Sequence, residues 1–252
     1  MKLSLIGAGP GDEELITLKA IRLLSEGDVI LYDALSNEGL LKYANENAEL
    51  IYVGKRSGKH SVSQQEINRI IKENALLGKH VVRLKGGDPV VFGRAFEEID
   101  MAKAHGIECE LVPGISSAIG VPTLCEIPIT KRGYSDSFWV LTGHTHDDQL
   151  PQDLHLAAQS NATIVILMGM SKLSEICNIF KLHAKEEIPM AIIENGTREN
   201  ERIVMGKLCE IEEKVHQNKI KNPAVIVIGE VVKLAPAYVS EYVRVNYLEY
   251  GG

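Results

Sequence analysis

The sequence has no long apolar run, no cysteine framework and no excess of positive charge. No apolar run among its 252 residues approaches the ~18 residues of a membrane helix, so we expect no membrane partner. Met1–Gly7 is too short for a signal peptide and runs straight into a glycine loop. The four cysteines are scattered without a CxxC pair, which argues against disulfides and zinc and predicts a reducing, cytoplasmic setting.

The charge balance argues against nucleic acid as a partner. A net charge of −7 at pH 7 argues against broad nucleic-acid binding, which requires a basic face. It is compatible with a local basic pocket for an anionic small molecule. The hydrophobic content of 45% with 24% charged residues is typical of a soluble globular protein, and the length favours two domains.

The most informative stretch is His80–Arg94, HVVRLKGGDPVVFGR. Val81 and Val82 begin a β-branched run that predicts a buried strand. Gly86–Pro89 ends it, and paired glycines let a ligand approach the backbone closely. Basic residues flank the turn on both sides: Arg83, Lys85 and Arg94. An ordinary strand-to-helix turn is one interpretation, and a loop that binds a partly polar, partly apolar ligand is the other.

Several other loops also follow predicted strands. They are Gly7–Asp12, Asp33–Leu35, Gly54–Arg56 and Gly86–Asp88. Ligands of open α/β sheets bind outside the carboxyl ends of the strands. We therefore expect these loops to converge on one rim, with Asp33 and Lys55 as an acid–base pair in a cleft.

The whole chain alternates strands with helices, which predicts an α/β fold with a mostly parallel sheet in its first half. Strands are expected at Leu3–Ile6, Val29–Tyr32, Glu49–Val53, from Val81, and at Ile107–Val112, Phe138–Leu141, Thr163–Met168, Met190–Glu194, Arg202–Met205 and Ala224–Ile228. Helices are expected at Glu13–Ser25, Gln64–Leu77, Ala95–Ala104, from Ile115, and at Gln152–Gln159, Leu173–Leu182 and Leu208–His216. The Pro113-Gly114 break places the boundary between domains 1–112 and 113–252.

Two alternative ligands are weaker interpretations. Strand, glycine loop and helix at Leu3–Ser25 suggest dinucleotide binding, with Asp33 at the distance of a ribose-binding acid. Asp12, however, stands where the third glycine of GxGxxG belongs, and its charge would oppose a pyrophosphate. His144 and His146 lie beside two aspartates but lack further spaced ligands, so we predict a polar loop and no metal site.

At its turns the sequence resembles the tetrapyrrole methylase family over nearly the whole chain. The matching pieces are GAGPGD (Gly7–Asp12), YDAL (Tyr32–Leu35), VGKR (Val53–Arg56), RLKGGDPVVFGR (Arg83–Arg94), PGISSA (Pro113–Ala118), PIT (Pro128–Thr130), TGH (Thr142–His144), MG (Met168-Gly169), ENGT (Glu194–Thr197) and IGEVV (Ile228–Val232). The chain departs from the family's usual pattern at Ala95-Phe96, at Cys125–Ile127 and at Lys131. None of these departures touches the Gly86–Asp88 turn, Asp33 or Lys55.

The resemblance implies two α/β domains with S-adenosylmethionine bound in a non-Rossmann manner in the cleft between them, and a homodimer. Carried over position by position, it assigns cofactor contacts to Pro10, Gly86, Gly87, Asp88, Val91, Ser116, Ser117, Met168 and Gly196. It also assigns Asp33 as proton acceptor and Lys55 as proton donor.

The reaction that the resemblance implies is methyl transfer to C2 and C7 of uroporphyrinogen III, giving precorrin-2. This product can lead to sirohaem or to cobalamin, and the resemblance does not choose between them. The substrate is rich in carboxylates, so its candidate partners are the cations Arg56, Arg94, Lys131 and Arg132. Two rivals remain: a methylase of the same fold that acts on a later precorrin, and a nucleotide-binding dehydrogenase.

Overall fold

The computed structural model describes residues 1–54 and 62–240. The chain divides into two compact units, Met1–Ser117 and Ala118–Gly252, which we call the N-terminal and C-terminal units. Each is an α/β unit with its own five-stranded sheet among the described residues.

The N-terminal unit is built from short strands and the helices between them. Its strands are β1 (Lys2–Gly7), β2 (Val29–Tyr32), β3 (Glu49–Tyr52), β4 (His80–Lys85) and β5 (Glu108–Val112). Its α-helices are α1 (Leu18–Glu26), α2 (Gln64–Leu76) and α3 (Ala95–Ala104), with short 3₁₀ helices at Glu13–Leu15 and Glu38–Tyr43.

Every strand pair of this sheet is parallel, in the order β3-β2-β4-β1-β5. Helices α2 and α3 cover one face, where Ile71 and Ile99 pack on Leu5. Helix α1 covers the other, where Leu23 packs with Ile6. Cover on both faces explains why the central strands β1, β2 and β4 are buried along almost their whole length. The expected mostly parallel sheet is confirmed.

One predicted helix is wrong. The apolar spacing over Glu13–Ser25 predicts a single helix, but the structure has a 3₁₀ turn followed by α1. The side chain of Asp12 accepts from the backbone N–H of Glu14, and that of Thr17 accepts from the N–H of Ala20. Each of these side chains bonds a backbone N–H that would otherwise be bonded within one continuous helix. The two caps therefore start two separate elements.

The C-terminal unit holds the remaining elements. Its strands are β6 (Phe138–Thr142), β7 (Thr163–Leu167), β8 (Pro189–Glu194), β9 (Arg202–Lys207) and β10 (Ala224–Ile228). Its helices are α5 (Asp153–Gln159), α6 (Leu173–Leu182) and α7 (Leu208–Asn218), and α4 (Ser117–Leu124) starts at the boundary. The strands expected in this half of the chain are confirmed to within two residues at either end.

The second sheet is mixed, in the order β6-β7-β10-β8-β9. Only β6 and β7 are parallel among its described pairs. Helices α5, α6 and α7 cover one face, around the fully buried Phe180. On the other face Tyr238 is 6% exposed and packs with Val231 and Val232, so the start of the tyrosine-rich tail belongs to this unit's own core.

No helix within the described ranges combines the length and the apolar character needed to cross a bilayer.

Candidate functional site

The N-terminal sheet has a topological switch point between its neighbouring strands β1 and β4. The chain leaving β1 enters α1 on one face, and the chain leaving β4 enters α3 on the opposite face. Because the two connections diverge, they leave a crevice at the carboxyl ends of these strands, where open α/β sheets bind ligands. The Gly7–Asp12 and Gly86–Asp88 loops lie at this place, as the sequence predicts.

Three glycines let three loops meet at this crevice. A Cβ on Gly7 would lie 2.5 Å from Gly114 Cα and 2.7 Å from Gly87 O. Such distances exclude any side chain, so the contact is made by backbone alone. Gly9 and Gly87 also exchange N–H···O bonds of 3.2 and 2.8 Å. The loops after β1, β4 and β5 are therefore held together by their main chains.

The Asp88 carboxylate stabilises the turn by accepting two backbone hydrogen bonds. Its Oδ1 accepts the Val90 N–H at 2.9 Å, and its Oδ2 accepts the Gly114 N–H at 3.1 Å. A carboxylate that accepts two backbone N–H groups orders the segments that supply them. The predicted ligand residue Asp88 therefore also ties the β4 loop to the β5 loop.

The position that a Cβ on Gly87 would occupy is open. The φ of Gly87 is +63°, a conformation that glycine adopts without strain. A Cβ there would meet only Ser117 N at 3.6 Å and Ser116 Cα at 3.9 Å. The space next to Gly87 is thus bounded by the backbone of two further predicted cofactor residues. Pro10 and Val91, the other predicted contacts of this unit, are half-buried.

Asp33 follows β2 on the same rim. Its Oδ1 accepts the Leu35 N–H at 3.0 Å, and its Oδ2 accepts from Arg83 Nη2 at 2.9 Å. The carboxylate is 22% exposed while the arginine is only 4% exposed. Ser36 N–H and the Ser36 hydroxyl also donate to Oδ1, each at 3.3 Å. Each carboxylate oxygen has two lone pairs, so the remaining capacity to accept a proton lies on Oδ2.

Behind Asp33 lies a buried charged cluster, which we define as Asp33, Arg83, Lys85 and Glu98 with the amide of Gln64. Glu98 is fully buried, and its Oε1 accepts from Lys85 Nζ at 2.9 Å and from Gln64 Nε2 at 3.1 Å. Arg83 Nε lies 3.6 Å from the same oxygen. Burial lowers the pKa of Lys85, as does the charge of Arg83, and Glu98 opposes both effects. Two cations and two carboxylates balance the charge of this cluster.

In the sequence, Arg83 and Lys85 stood out only as basic flanks of the turn, and Glu98 and Gln64 were missed. The signal for Glu98 lies in α3, whose buried positions also include Ala95, Ile99 and Ala102. A carboxylate on that apolar stripe indicates a buried partner.

The four predicted substrate cations are placed differently. Arg94 stands just before α3 at φ +56° and pairs its exposed guanidinium with Glu97 at 2.7 Å. Lys131 and Arg132 lie in an exposed turn of the C-terminal unit, closed by a backbone bridge between Lys131 and Ser135. Arg56 and the predicted proton donor Lys55 lie outside the described residues.

In the C-terminal unit, the two remaining predicted cofactor residues lie on strained turns. Met168 follows β7 with φ +58° and is 47% exposed. Gly196 follows β8 between two residues with positive φ, Asn195 and Thr197. A Cβ on Gly196 would lie 2.6 Å from Val121 Cγ2, so this turn packs directly on α4. Residues other than glycine are uncommon in the left-handed region, and those that occur there cluster at functional sites.

The histidine-rich loop has an ordinary explanation. His144 pairs with Asp148, and His146 pairs with Asp147, all on exposed side chains. Within residues 1–54 and 62–240, no group of three or more possible metal-ligating side chains occurs.

Comparison with known proteins places this geometry in one family. The profile of the Tetrapyrrole (Corrin/Porphyrin) Methylases matches residues 2–212. A uroporphyrinogen-III C-methyltransferase of Methanocaldococcus jannaschii is 49% identical over 235 residues, covering 92% of this chain and 97% of the relative.

Solved structures agree. The uroporphyrin-III C-methyl transferase of Thermus thermophilus complexed with S-adenyl homocysteine has a TM-score of 0.79 and 38% identity, over 92% of this chain and 99% of that one. A cobalamin biosynthetic enzyme, cobalt precorrin-4 methyltransferase, has a TM-score of 0.82 at 27% identity, over 92% and 95%.

Proposed function

The chain belongs to the tetrapyrrole (corrin/porphyrin) methylases, and from that premise we propose that it is a uroporphyrinogen-III C-methyltransferase. It transfers methyl groups from S-adenosylmethionine to C2 and C7 of uroporphyrinogen III, and the product is precorrin-2. The relatives that carry this activity match nearly their whole length.

The observation that carries the proposal is the glycine-lined junction at the switch point. Gly7, Gly87 and Gly114 bring three loops into backbone contact, and an added Cβ on Gly87 would have only Ser116 and Ser117 within 4 Å. This open backbone suits a cofactor with both polar and apolar parts. Pro10, Gly86, Gly87, Asp88, Val91, Ser116 and Ser117 would hold the cofactor in this unit, and Met168 and Gly196 would hold it in the other. The bound cofactor supplies an electrophilic methyl group.

The residues of the rim supply the remaining chemistry. The macrocycle gains a positive charge as the methyl group arrives at a pyrrole carbon and must then lose a proton, and Asp33 is the acceptor in this proposal. Its carboxylate is held in one orientation by Leu35 N–H and Arg83, which suits general-base catalysis. Lys55 is the proton donor in this proposal. Much of the rate comes from aligning the pyrrole carbon with the methyl group.

Cations orient the substrate. Arg94, with Arg56, Lys131 and Arg132, would pair with its carboxylates through charge-assisted hydrogen bonds. Arg94 shares its guanidinium with Glu97 in this structure, so binding exchanges one carboxylate partner for another.

A second candidate is methylation of a later precorrin, favoured by the structural likeness to cobalt precorrin-4 methyltransferase. The higher identity to the uroporphyrinogen-III enzymes places it behind the first. We also propose that the protein is a homodimer and acts in the cytoplasm.

The test is anaerobic incubation of the purified protein with S-adenosylmethionine and uroporphyrinogen III, followed by mass analysis of the tetrapyrrole. Two added methyl groups per macrocycle support the proposal. No methylation of uroporphyrinogen III, together with turnover of a partly methylated precorrin, favours the second candidate. Binding of NAD without methyl transfer would overturn both.

A further inference from the structure

The buried charged cluster of Asp33, Arg83, Lys85 and Glu98 removes several charges from water. Burying Glu98 completely and Arg83 to 4% exposure removes both charges from water. Apolar residues of similar volume often give equal or better stability at such positions, so stability alone does not account for the cluster. The distinguishing feature of the cluster is that its most exposed member is Asp33, at the rim of the sheet.

We propose that Glu98 is a positioning residue that aims the Asp33 carboxylate through Arg83. This inference rests on the proposed function, in which Asp33 accepts the proton. The path is short: Glu98 Oε1 lies 3.6 Å from Arg83 Nε, and Arg83 Nη2 lies 2.9 Å from Asp33 Oδ2.

The guanidinium transmits the orientation because it is planar and rigid. Arg83 Nη1 donates to the Leu84 carbonyl at 2.7 Å, and Nε faces Glu98. The hydrogen bond at Nη1 and the charge of Glu98 beside Nε together restrict the direction of Nη2, which binds Asp33. The other oxygen of Asp33 is held by Leu35 N–H, so both ends of the carboxylate are set by the protein.

The cluster also has incompletely satisfied atoms. Arg83 Nε and Glu98 Oε2 are buried and make no hydrogen bond within the described part of the chain. Buried orphan atoms are rare in native proteins and each calls for an explanation. Arg83 Nε lies 3.6 Å from Glu98 Oε1, beyond hydrogen-bond distance, so Glu98 acts on the guanidinium through its charge.

Lys85 and Gln64 hold Glu98 in turn. Both donate to Glu98 Oε1, from the end of β4 and the first turn of α2. The position of the Glu98 carboxylate is therefore set by residues of two elements, β4 and α2.

The experiment compares the wild type, Glu98→Gln and a matched control, Asp100→Asn. Asp100 lies on the same helix, is exposed and undergoes the same change of charge. We expect Glu98→Gln to lower kcat by about 10²-fold, the cost of a small misplacement at a catalytic group. The KM for S-adenosylmethionine should stay at its wild-type value, and the control should leave kcat unchanged.

A second variant separates positioning from folding. Lys85→Met combined with Glu98→Gln removes one charge of each sign, so the cluster keeps its balance and the melting temperature should recover relative to Glu98→Gln alone. In this double variant kcat should remain low, because Arg83 still lacks the Glu98 carboxylate beside its Nε.

Recovery of kcat together with the melting temperature would show a purely structural role and overturn the inference. So would wild-type kcat in Glu98→Gln. Absence of methyl transfer in the wild type is a different result: it overturns the proposed function and, with it, the inference built on it.

Discussion

Arg83 and Asp33 form an ion pair across the carboxyl ends of β4 and β2, with 2.9 Å between Nη2 and Oδ2, although fifty residues separate them in the chain. The arginine is buried and the aspartate is at the rim. Asp33 therefore has two tasks: it neutralises a buried cation, and in the proposed reaction it accepts a proton.

Because Asp33 has these two tasks, we expect Asp33→Asn to lower both stability and turnover. The new amide oxygen can still accept the Leu35 N–H, but the charge opposite Arg83 is lost. We expect the free energy of unfolding to fall by about 1–3 kcal/mol, the cost of leaving a buried charged group poorly paired. We expect kcat to fall by about 10²–10⁴, the usual contribution of general acid–base catalysis. Urea unfolding and steady-state kinetics measure the two effects, and wild-type turnover by the folded variant would remove Asp33 from the mechanism.

Gly87→Val tests the cofactor cradle. The side chain would occupy the space bounded by Ser116 and Ser117, so calorimetric titration should detect no binding of S-adenosylmethionine, while far-UV circular dichroism stays native. Gly106→Val is the matched control, because Gly106 has φ +69° and a Cβ added there would meet no atom within 4 Å. Both substitutions carry a similar backbone strain of about 1–2 kcal/mol. Equal loss of affinity in the two variants, or none in Gly87→Val, would contradict the assignment.

Gly196→Ala tests the packing of the β8 turn on α4. A Cβ at this position would lie 2.6 Å from Val121 Cγ2, and Val121 is 2% exposed. We expect overpacking to cost about 1–3 kcal/mol of unfolding free energy. Adding Val121→Ala should restore part of that loss, which would be seen in a double-mutant cycle with Val121→Ala alone. Strictly additive losses would show that the two positions do not clash.

Glu110 predicts a pH dependence of stability. Hydrogen bonds from Lys19 and then Lys2 lower the pKa of this carboxyl from 4.5 to about 2. Since the folded-state pKa is depressed, the stabilisation is complete above the unfolded-state pKa and is lost as pH falls from about 4.5 to about 2. Glu110→Gln should therefore cost up to about 1 kcal/mol at neutral pH, as expected for a largely solvated pair, and much less at pH 2. Unfolding titrations at several pH values measure this, and a cost that is undiminished at pH 2 would show that the two lysines do not stabilise the fold through the Glu110 charge.

The sequence by itself determined the local elements and the positions of the turns. Apolar runs and capping residues act over a few neighbours, so the predicted strands appear where expected, and the capping residue Ser63 accepts from Glu66 N–H at the start of α2. The glycine loop at Gly86–Asp88 was evident for the same reason. The sequence does not predict the split of the first helix. Thr17 can lie inside a helix or cap a new one by accepting from the Ala20 N–H, and the apolar spacing is the same in both cases.

Only the tertiary structure decided what the loops and charges do together. Gly7, Gly87 and Gly114 are distant in the chain, and their mutual approach follows from strand order, which depends on how the helices distribute over the sheet faces. The partners Arg83, Glu98 and Asp33 come from three different elements. Their pairing is set by burial, because a charge removed from water must find an opposite charge among whatever residues the fold brings beside it.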